Sequence, residues 1–283
     1  MTDPKIKALF GLKYNPFLPN IPAEDLWTPP GAELFLFRIE TLVMDGGFAL
    51  ISGEPGMGKS KLLHLLATHL EQIDGVVVGT IQRPQNTLGD FYRELGALFG
   101  VALKPSNRYG GFKALRAKWR EHVKSALFKP VLLIDESQEV YDICFNELRI
   151  LTSAHFDSEC LLTTVLCGDA RLKDRLASPN LLPLASRIRV RMILDPLDRD
   201  NLLAFLNHLL ERAGASHLMT PALCQALVDH SAGNLRILTS MAADLLGAAV
   251  DREIKQLDEK LFIEIFSTNP RVLKHKNRSR KRS

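Results

Sequence analysis

Between residues 48 and 193, short apolar runs alternate with stretches of helical periodicity. Phe48-Ala49-Leu50-Ile51-Ser52 is one such run and ends at a glycine, so it predicts a buried strand. Lys59–Leu70 places Leu62, Leu63, Leu65, Leu66 and Leu70 at helical spacing. Val76–Ile81 predicts a second strand and Leu88–Phe99 a second helix. Val131–Ile134, Leu161–Leu166 and Ile188–Ile193 predict a third, fourth and fifth strand. A helix over about 31–45 precedes the first strand. Strands alternating with helices point to an α/β protein with a parallel five-stranded sheet covered by helices on both faces.

The pattern changes after Asp195-Pro196. Arg199–Ala213, Pro221–His230, Leu235–Val250 and Asp258–Phe266 all read as helices, with no strand between them. Gly214, Gly233 and Thr220-Pro221 punctuate them. The chain therefore divides into a proline-rich irregular arm (1–30), an αβα core (31–196), a small all-helical domain (197–268) and a tail (269–283).

That tail changes the reading of charge. The net charge of +4 is an average: residues 271–283 carry seven Lys/Arg and no acid, leaving 29 basic against 32 acidic residues elsewhere. With almost nothing apolar to bury, the tail is expected to be disordered. No apolar run is long enough to span a bilayer, and the N-terminus has no apolar segment behind a basic start. Cys144, Cys160, Cys167 and Cys224 show no metal-ligand spacing and read as reduced thiols. The expectation is a cytoplasmic protein with no membrane contact.

The strongest chemical signal is Gly53-Glu54-Pro55-Gly56-Met57-Gly58-Lys59-Ser60, which satisfies G-x-x-x-x-G-K-[ST] and is followed by Lys61. Glycines let the backbone curl around phosphate without Cβ clashes, and the helix N-terminus behind the loop supplies positive potential. Lys59 would neutralise the β- and γ-phosphates, and the Ser60 hydroxyl would ligate Mg²⁺. Its partner is Val131-Leu132-Leu133-Ile134-Asp135-Glu136, 76 residues beyond Lys59. Four branched apolar residues make a strand buried on both faces, and the acids stand at its carboxyl end, where open α/β sheets bind ligands. Asp135 would hold Mg²⁺ and Glu136 would polarise the attacking water. ATP hydrolysis with Mg²⁺ follows.

Phe10-Gly11-Leu12-Lys13-Tyr14-Asn15-Pro16-Phe17, ahead of the P-loop, resembles the start of AAA+ ATPases related to general secretion pathway protein A. Transposition ATPases of the TnsC, TniB and MuB type are similar, and the resemblance covers about residues 8 to 250. It implies an AAA+ P-loop NTPase, an αβα core followed by a helical lid. It also implies a sensor role for Asp169, after Cys167-Gly168. Arg187 in Ser186-Arg187-Ile188 would reach a neighbouring subunit's ATP, and Arg236 in Gly233-Asn234-Leu235-Arg236 would touch phosphate from the lid. An outward charged face explains Arg187, Arg189 and Arg191 about as well. Arg236 stands near a helix start, where the macrodipole disfavours a cation, so structure alone does not account for it. Tyr14, Asn15, Pro16 and Phe17 would either hold adenine or seal the sheet edge.

What the ATPase acts on is read from basic residues. From Phe112 a helix is expected with Lys113, Arg116, Arg120 and Lys124 opposite its apolar face. Arg83, Lys104 and Arg108 sit on loops nearby, and Lys274, Lys276, Arg278 and Arg280 lie in the tail. A basic surface follows a phosphate backbone without reading sequence, although a solvated helix face is the plainer account of the helix. One hypothesis is an ATPase that assembles as a ring or filament on duplex DNA and recruits or regulates a transposase. The other is a secretion-assembly ATPase, against which the stop at Ser283 counts. A nucleotide-gated scaffold with little turnover is a third possibility.

Overall fold

A computed structural model describes residues 3–84, 87–103 and 107–267. The described elements are α1 (Asp3–Phe10), α2 (Ala32–Asp45), β1 (Gly47–Gly53), α3 (Lys59–Glu71), β2 (Val78–Ile81), α4 (Leu88–Leu98), α5 (Arg108–Ala126), β3 (Val131–Ile134), α6 (Asp142–Thr152), β4 (Ser153–Ala154), β5 (Glu159–Cys160), β6 (Thr163–Gly168), α7 (Ala170–Leu176), α8 (Leu182–Ala185), β7 (Ile188–Leu194), α9 (Arg199–Arg212), α10 (Pro221–Ser231), α11 (Leu235–Asp251) and α12 (Glu259–Ser267).

The chain forms two compact units. Residues 28–195 build the first around a five-stranded sheet of order β2-β3-β6-β1-β7. All its pairings are parallel. Parallel neighbours cannot be joined by a hairpin, so each connection is a crossover. Side-chain alternation sorts the core into two layers. Ala49 and Ile51 of β1 pack with Leu133, Val165 and residues of α2 and α3 such as Ile39, Leu62 and Leu66. Phe48 and Leu50 pack on the other side with Leu132, Ile134, Phe91, Leu95, Trp119, Phe145 and Leu148. β3 and β6 are buried at every position, as central strands covered on both faces must be. β7 is an edge strand and alternates, with Arg189, Arg191 and Ile193 exposed.

β6 runs two residues further than the apolar run suggests, so Cys167 and Gly168 belong to the strand and Asp169 stands at its tip. α5 starts at Arg108 rather than Phe112 because Asn107 caps it, accepting the Gly110 N–H at 2.8 Å. A short β4–β5 hairpin, whose turn residues His155, Phe156 and Asp157 all have positive φ, enters between α6 and β6.

Of the described residues, 3–27 and 196–267 make up the second unit. Leu206, Leu209, Leu223, Leu227, Leu238 and Leu245 form its centre. Three helices there are capped as their sequences require: Asp198 accepts from Asn201 N at 2.8 Å, Thr220 from Leu223 N at 3.2 Å, and Asn234 from Arg236 N at 3.0 Å. Asn234→Ala is expected to lower stability by about 1 kcal/mol, measurable as a shift in urea midpoint.

The reading of residues 1–30 as an irregular arm is corrected here. Asp3–Phe10 is helical, and Ile6, Leu12 and Phe17 enter the core of the helical unit. A helix this short is unstable alone and depends on burying that apolar face.

Candidate active site

β1 delivers the chain into the P-loop, and α3 leaves it. Gly56 and Gly58 adopt φ of 89° and 88°, a region closed to most side chains. Gly53 is needed for another reason: a Cβ there would lie 2.5 Å from the Leu194 carbonyl oxygen on β7. Lys59 arches back over the loop, donating from Nζ to the carbonyls of Gly53 at 2.8 Å and Glu54 at 3.0 Å. It is only 8% exposed. Met57 is buried beneath the loop, and burial lowers the pKa of the neighbouring Lys61. No side chain caps the start of α3. Its terminal N–H groups are therefore suited to an anion, which supplies the missing acceptors.

At the end of β3, Asp135 is half-buried and Glu136 is exposed. The Asp135 N–H donates to Ile81 O at 2.9 Å, which continues the β2 ladder and fixes the strand tip. Glu136 takes a left-handed conformation, φ 48°, and its N–H donates to Asp135 Oδ1 at 2.9 Å. β6 lies between β1 and β3, and its Cys167 reports on their meeting. Burial raises the Cys167 thiol pKa, the Asp135 and Glu136 carboxylates raise it further, and Lys59 opposes them. The register agrees: β1 and β3 both pair with β6 and end together, so Lys59, folded back onto the Gly53 carbonyl, and the two acids stand at one end of the sheet.

The residues present fit MgATP. The loop offers glycine-lined amides and an ammonium. Ser60, exposed on the first turn of α3, and Asp135 offer the hard oxygen donors that Mg²⁺ takes together with phosphate oxygens.

Other expected site residues are placed as follows. Asp169 is near Lys59, but its carboxylate caps α7 and pairs with Arg171, accepting from Arg171 N at 3.0 Å and from Nη2 at 2.8 Å. Those hydrogen bonds hold its pKa below the ordinary aspartate range. Arg187 pairs with Asp157 of the β4–β5 hairpin and donates to Pro183 O. Arg236 is exposed on the first turn of α11. Tyr14, Asn15, Pro16 and Phe17 all belong to the helical unit. There Tyr14 donates to Asp25 Oδ2 at 2.8 Å, Asn15 Oδ1 accepts from Phe17 N at 3.0 Å, and Phe17 is buried. Burial and the Asp25 hydrogen bond raise the Tyr14 pKa.

The expected basic surface is changed by the structure. Arg108 pairs with Glu147, which is nearly buried and also accepts from Tyr92 Oη at 2.5 Å. Arg116 donates to the carbonyls of Ile150 and Leu151 at 3.2 Å and to that of Ser153, closing the C-terminus of α6. Both side chains hold α5 against α6. Lys113 lies 4.5 Å from the centre of the Tyr109 ring, and Arg120 and Arg83 are exposed. Lys104, Lys274, Lys276, Arg278 and Arg280 lie outside the described residues. One residue of this corner went unread in the sequence, Gln138; an isolated amide carries no pattern of its own.

Comparison with known proteins places this geometry in a class. Residues 43–176 match the family model described as an AAA domain, and the fold is that of an AAA+ P-loop NTPase. The fold is similar to that of the Aeropyrum pernix ORC2 protein in its ADP form (TM-score 0.70, 15% identity, 90% of this chain and 72% of that one). It is similar also to Drosophila ORC bound to DNA (TM-score 0.68, 17% identity, 96% and 68%). A third likeness is to domain III of the Thermotoga maritima replication initiation protein DnaA (TM-score 0.58, 20% identity, 88% and 97%).

In sequence the chain resembles general secretion pathway protein A of Aeromonas hydrophila, with 32% identity over 215 residues. That match covers 73% of this chain and 38% of the relative, so the chain spans well under half of that protein's length. Among the described residues no helix is long and apolar enough to cross a membrane.

Proposed function

We propose that this protein binds MgATP in the loop Gly53–Ser60, hydrolyses it with Glu136, and uses the cycle to assemble and release a homo-oligomer. The observation that carries the proposal is the strand register: β6 pairs Gly168 with Ser52 of β1 and Leu166 with Ile134 of β3, so the loop holding Lys59 and the acids Asp135 and Glu136 leave the same end of adjacent strands. Lys59 neutralises the terminal phosphates while the amides of the loop and of α3 hold them in place. Ser60 and Asp135 would hold Mg²⁺, which would supply charge stabilisation to the terminal phosphates. Glu136 orients a water for in-line attack and takes up its proton.

Arg187 precedes β7, and Ile188 pairs with Phe48 at the start of β1. The P-loop follows the other end of β1, about 20 Å away at ~3.3 Å per residue. Arg187 is therefore out of reach of its own nucleotide and acts on that of another copy. Arg187→Ala should retain ATP affinity and lose turnover. Mixing it with Lys59→Ala subunits should restore phosphate release, because each supplies what the other lacks. No recovery at any mixing ratio would remove Arg187 from the mechanism.

The oligomer's partner is duplex DNA on this reading, with a transposase recruited to it. The basic segment 271–283 supports the DNA contact, since such density of charge binds phosphate by counterion release. Gel-shift assays with ATP, ADP and a non-hydrolysable analogue test it; absence of binding in every state at low salt would end it. The 32% identity to general secretion pathway protein A favours a second reading, an ATPase for secretion-machinery assembly. Under that reading nucleotide-dependent assembly persists with no DNA effect.

A further inference from the structure

Gln138 is 6% exposed and carries a primary amide, which burial makes costly unless both ends are bonded. Both are. Its Oε1 accepts the Asp169 N–H at 3.2 Å, and its Nε2 donates to Glu136 Oε2. Chemistry fixes the amide's orientation, because exchanging its ends would set NH₂ against N–H and carbonyl against carboxylate. The side chain can pass because residue 168 is glycine: a Cβ there would lie 2.6 Å from Gln138 Oε1. The backbone beneath is also pinned. Arg175 Nη1 donates to Gln138 O at 2.5 Å and Nη2 to Val140 O at 2.6 Å. Ser137 Oγ donates to Ile134 O at 2.8 Å and accepts from Cys167 N at 3.3 Å. Glu136, by contrast, has a left-handed backbone, and its carboxylate has this one side-chain tether among the described residues.

We propose that Gln138 is a positioning residue for the hydrolytic carboxylate: it holds Glu136 by Oε2, leaves Oε1 for water, and ties both to the Gly168–Asp169 peptide at the tip of β6. This rests on the ATPase reading above. Through Gln138, a shift of the β6 tip beside the phosphate loop turns the carboxylate toward or away from its water. Without it the Glu136 side chain rotates freely on an exposed turn, and misplacement of a reacting group by about 1 Å costs on the order of 10²-fold in rate.

The test compares wild type, Gln138→Leu and Gln138→Glu for MgATP affinity, by displacement of a fluorescent ATP analogue, and for kcat and KM of phosphate release from pH 6 to 8.5. Gln138→Leu is expected to bind ATP within about threefold of wild type and to lose roughly 10- to 100-fold in kcat with KM little changed. Gln138→Glu sets two carboxylates together at high pH. When protonated, the introduced carboxyl reproduces the amide, donating to Glu136 and accepting from Asp169. Its kcat relative to wild type should therefore rise as pH falls. Lys59, Asp135, Cys167, Asp169 and Arg175 line the same corner in both proteins, so the ratio isolates position 138. Should the leucine chain not fold, the isosteric glutamate chain carries the same test. Wild-type kcat in Gln138→Leu, equal losses of affinity and kcat, or a pH-independent ratio in Gln138→Glu would each overturn the proposal. A wild-type protein that binds no ATP, or binds it without turnover, would instead overturn the ATPase reading itself.

Discussion

Glu136→Gln should leave ATP bound and almost unhydrolysed. The glutamine keeps the size of the side chain but cannot accept the proton that the attacking water must lose, a contribution of about 10²- to 10⁴-fold for a positioned base. The amide can also no longer act as a charged acceptor for Gln138. Lys59, the loop amides and Asp135 are untouched, so the nucleotide stays. Single-turnover phosphate release should fall by that factor while analogue binding is preserved, and the oligomer should persist where wild-type protein disassembles. Turnover at the wild-type rate would mean that another group activates the water.

Lys59→Ala should act one step earlier, on binding. The ammonium is nearly buried and held at the loop mouth by the Gly53 and Glu54 carbonyls. Removing one partner of a buried charge-assisted contact costs about 2–5 kcal/mol, roughly 30- to 4,000-fold in affinity. Without the lysine the two carbonyls turn toward the phosphates as bare acceptors, which adds to the loss. Wild-type protein at ~100 times its Kd gains about 2.7 kcal/mol of stability from ATP. Thermal melts should show that gain in wild type and little of it in Lys59→Ala. An equal ATP-dependent shift in both chains would show that the nucleotide binds elsewhere.

The parts legible in the sequence are those encoded by local pattern. Val131–Ile134 reads as a doubly buried strand because four adjacent branched residues have no other comfortable place, and it is one. The helices after Pro196 are readable because their apolar periodicity is punctuated by Gly214, Thr220-Pro221 and Gly233. The P-loop is a contiguous motif whose glycine conformations follow from phosphate geometry. What escaped depends on distant partners. Arg108 and Arg116 look like a basic face on α5, yet their acceptors, Glu147 and the carbonyls at the end of α6, lie more than thirty residues away in sequence. The β4–β5 hairpin has two-residue strands, too short for alternation to show. α1 needed the helical unit's core to exist. Gln138 is invisible for the same reason, since its meaning comes from Asp169, thirty-one residues on, at the tip of β6.

Whether loop and acids face the same phosphoryl group is decided by a crystal structure of Glu136→Gln grown with MgATP. The crystals should hold intact ATP with its terminal phosphate at Lys59 Nζ, the metal on Ser60 Oγ and the Asp135 side, and residue 136 turned toward the γ-phosphate. A nucleotide bound away from Gly53–Ser60, or one whose terminal phosphate lies beyond reach of both Asp135 and residue 136, would contradict it.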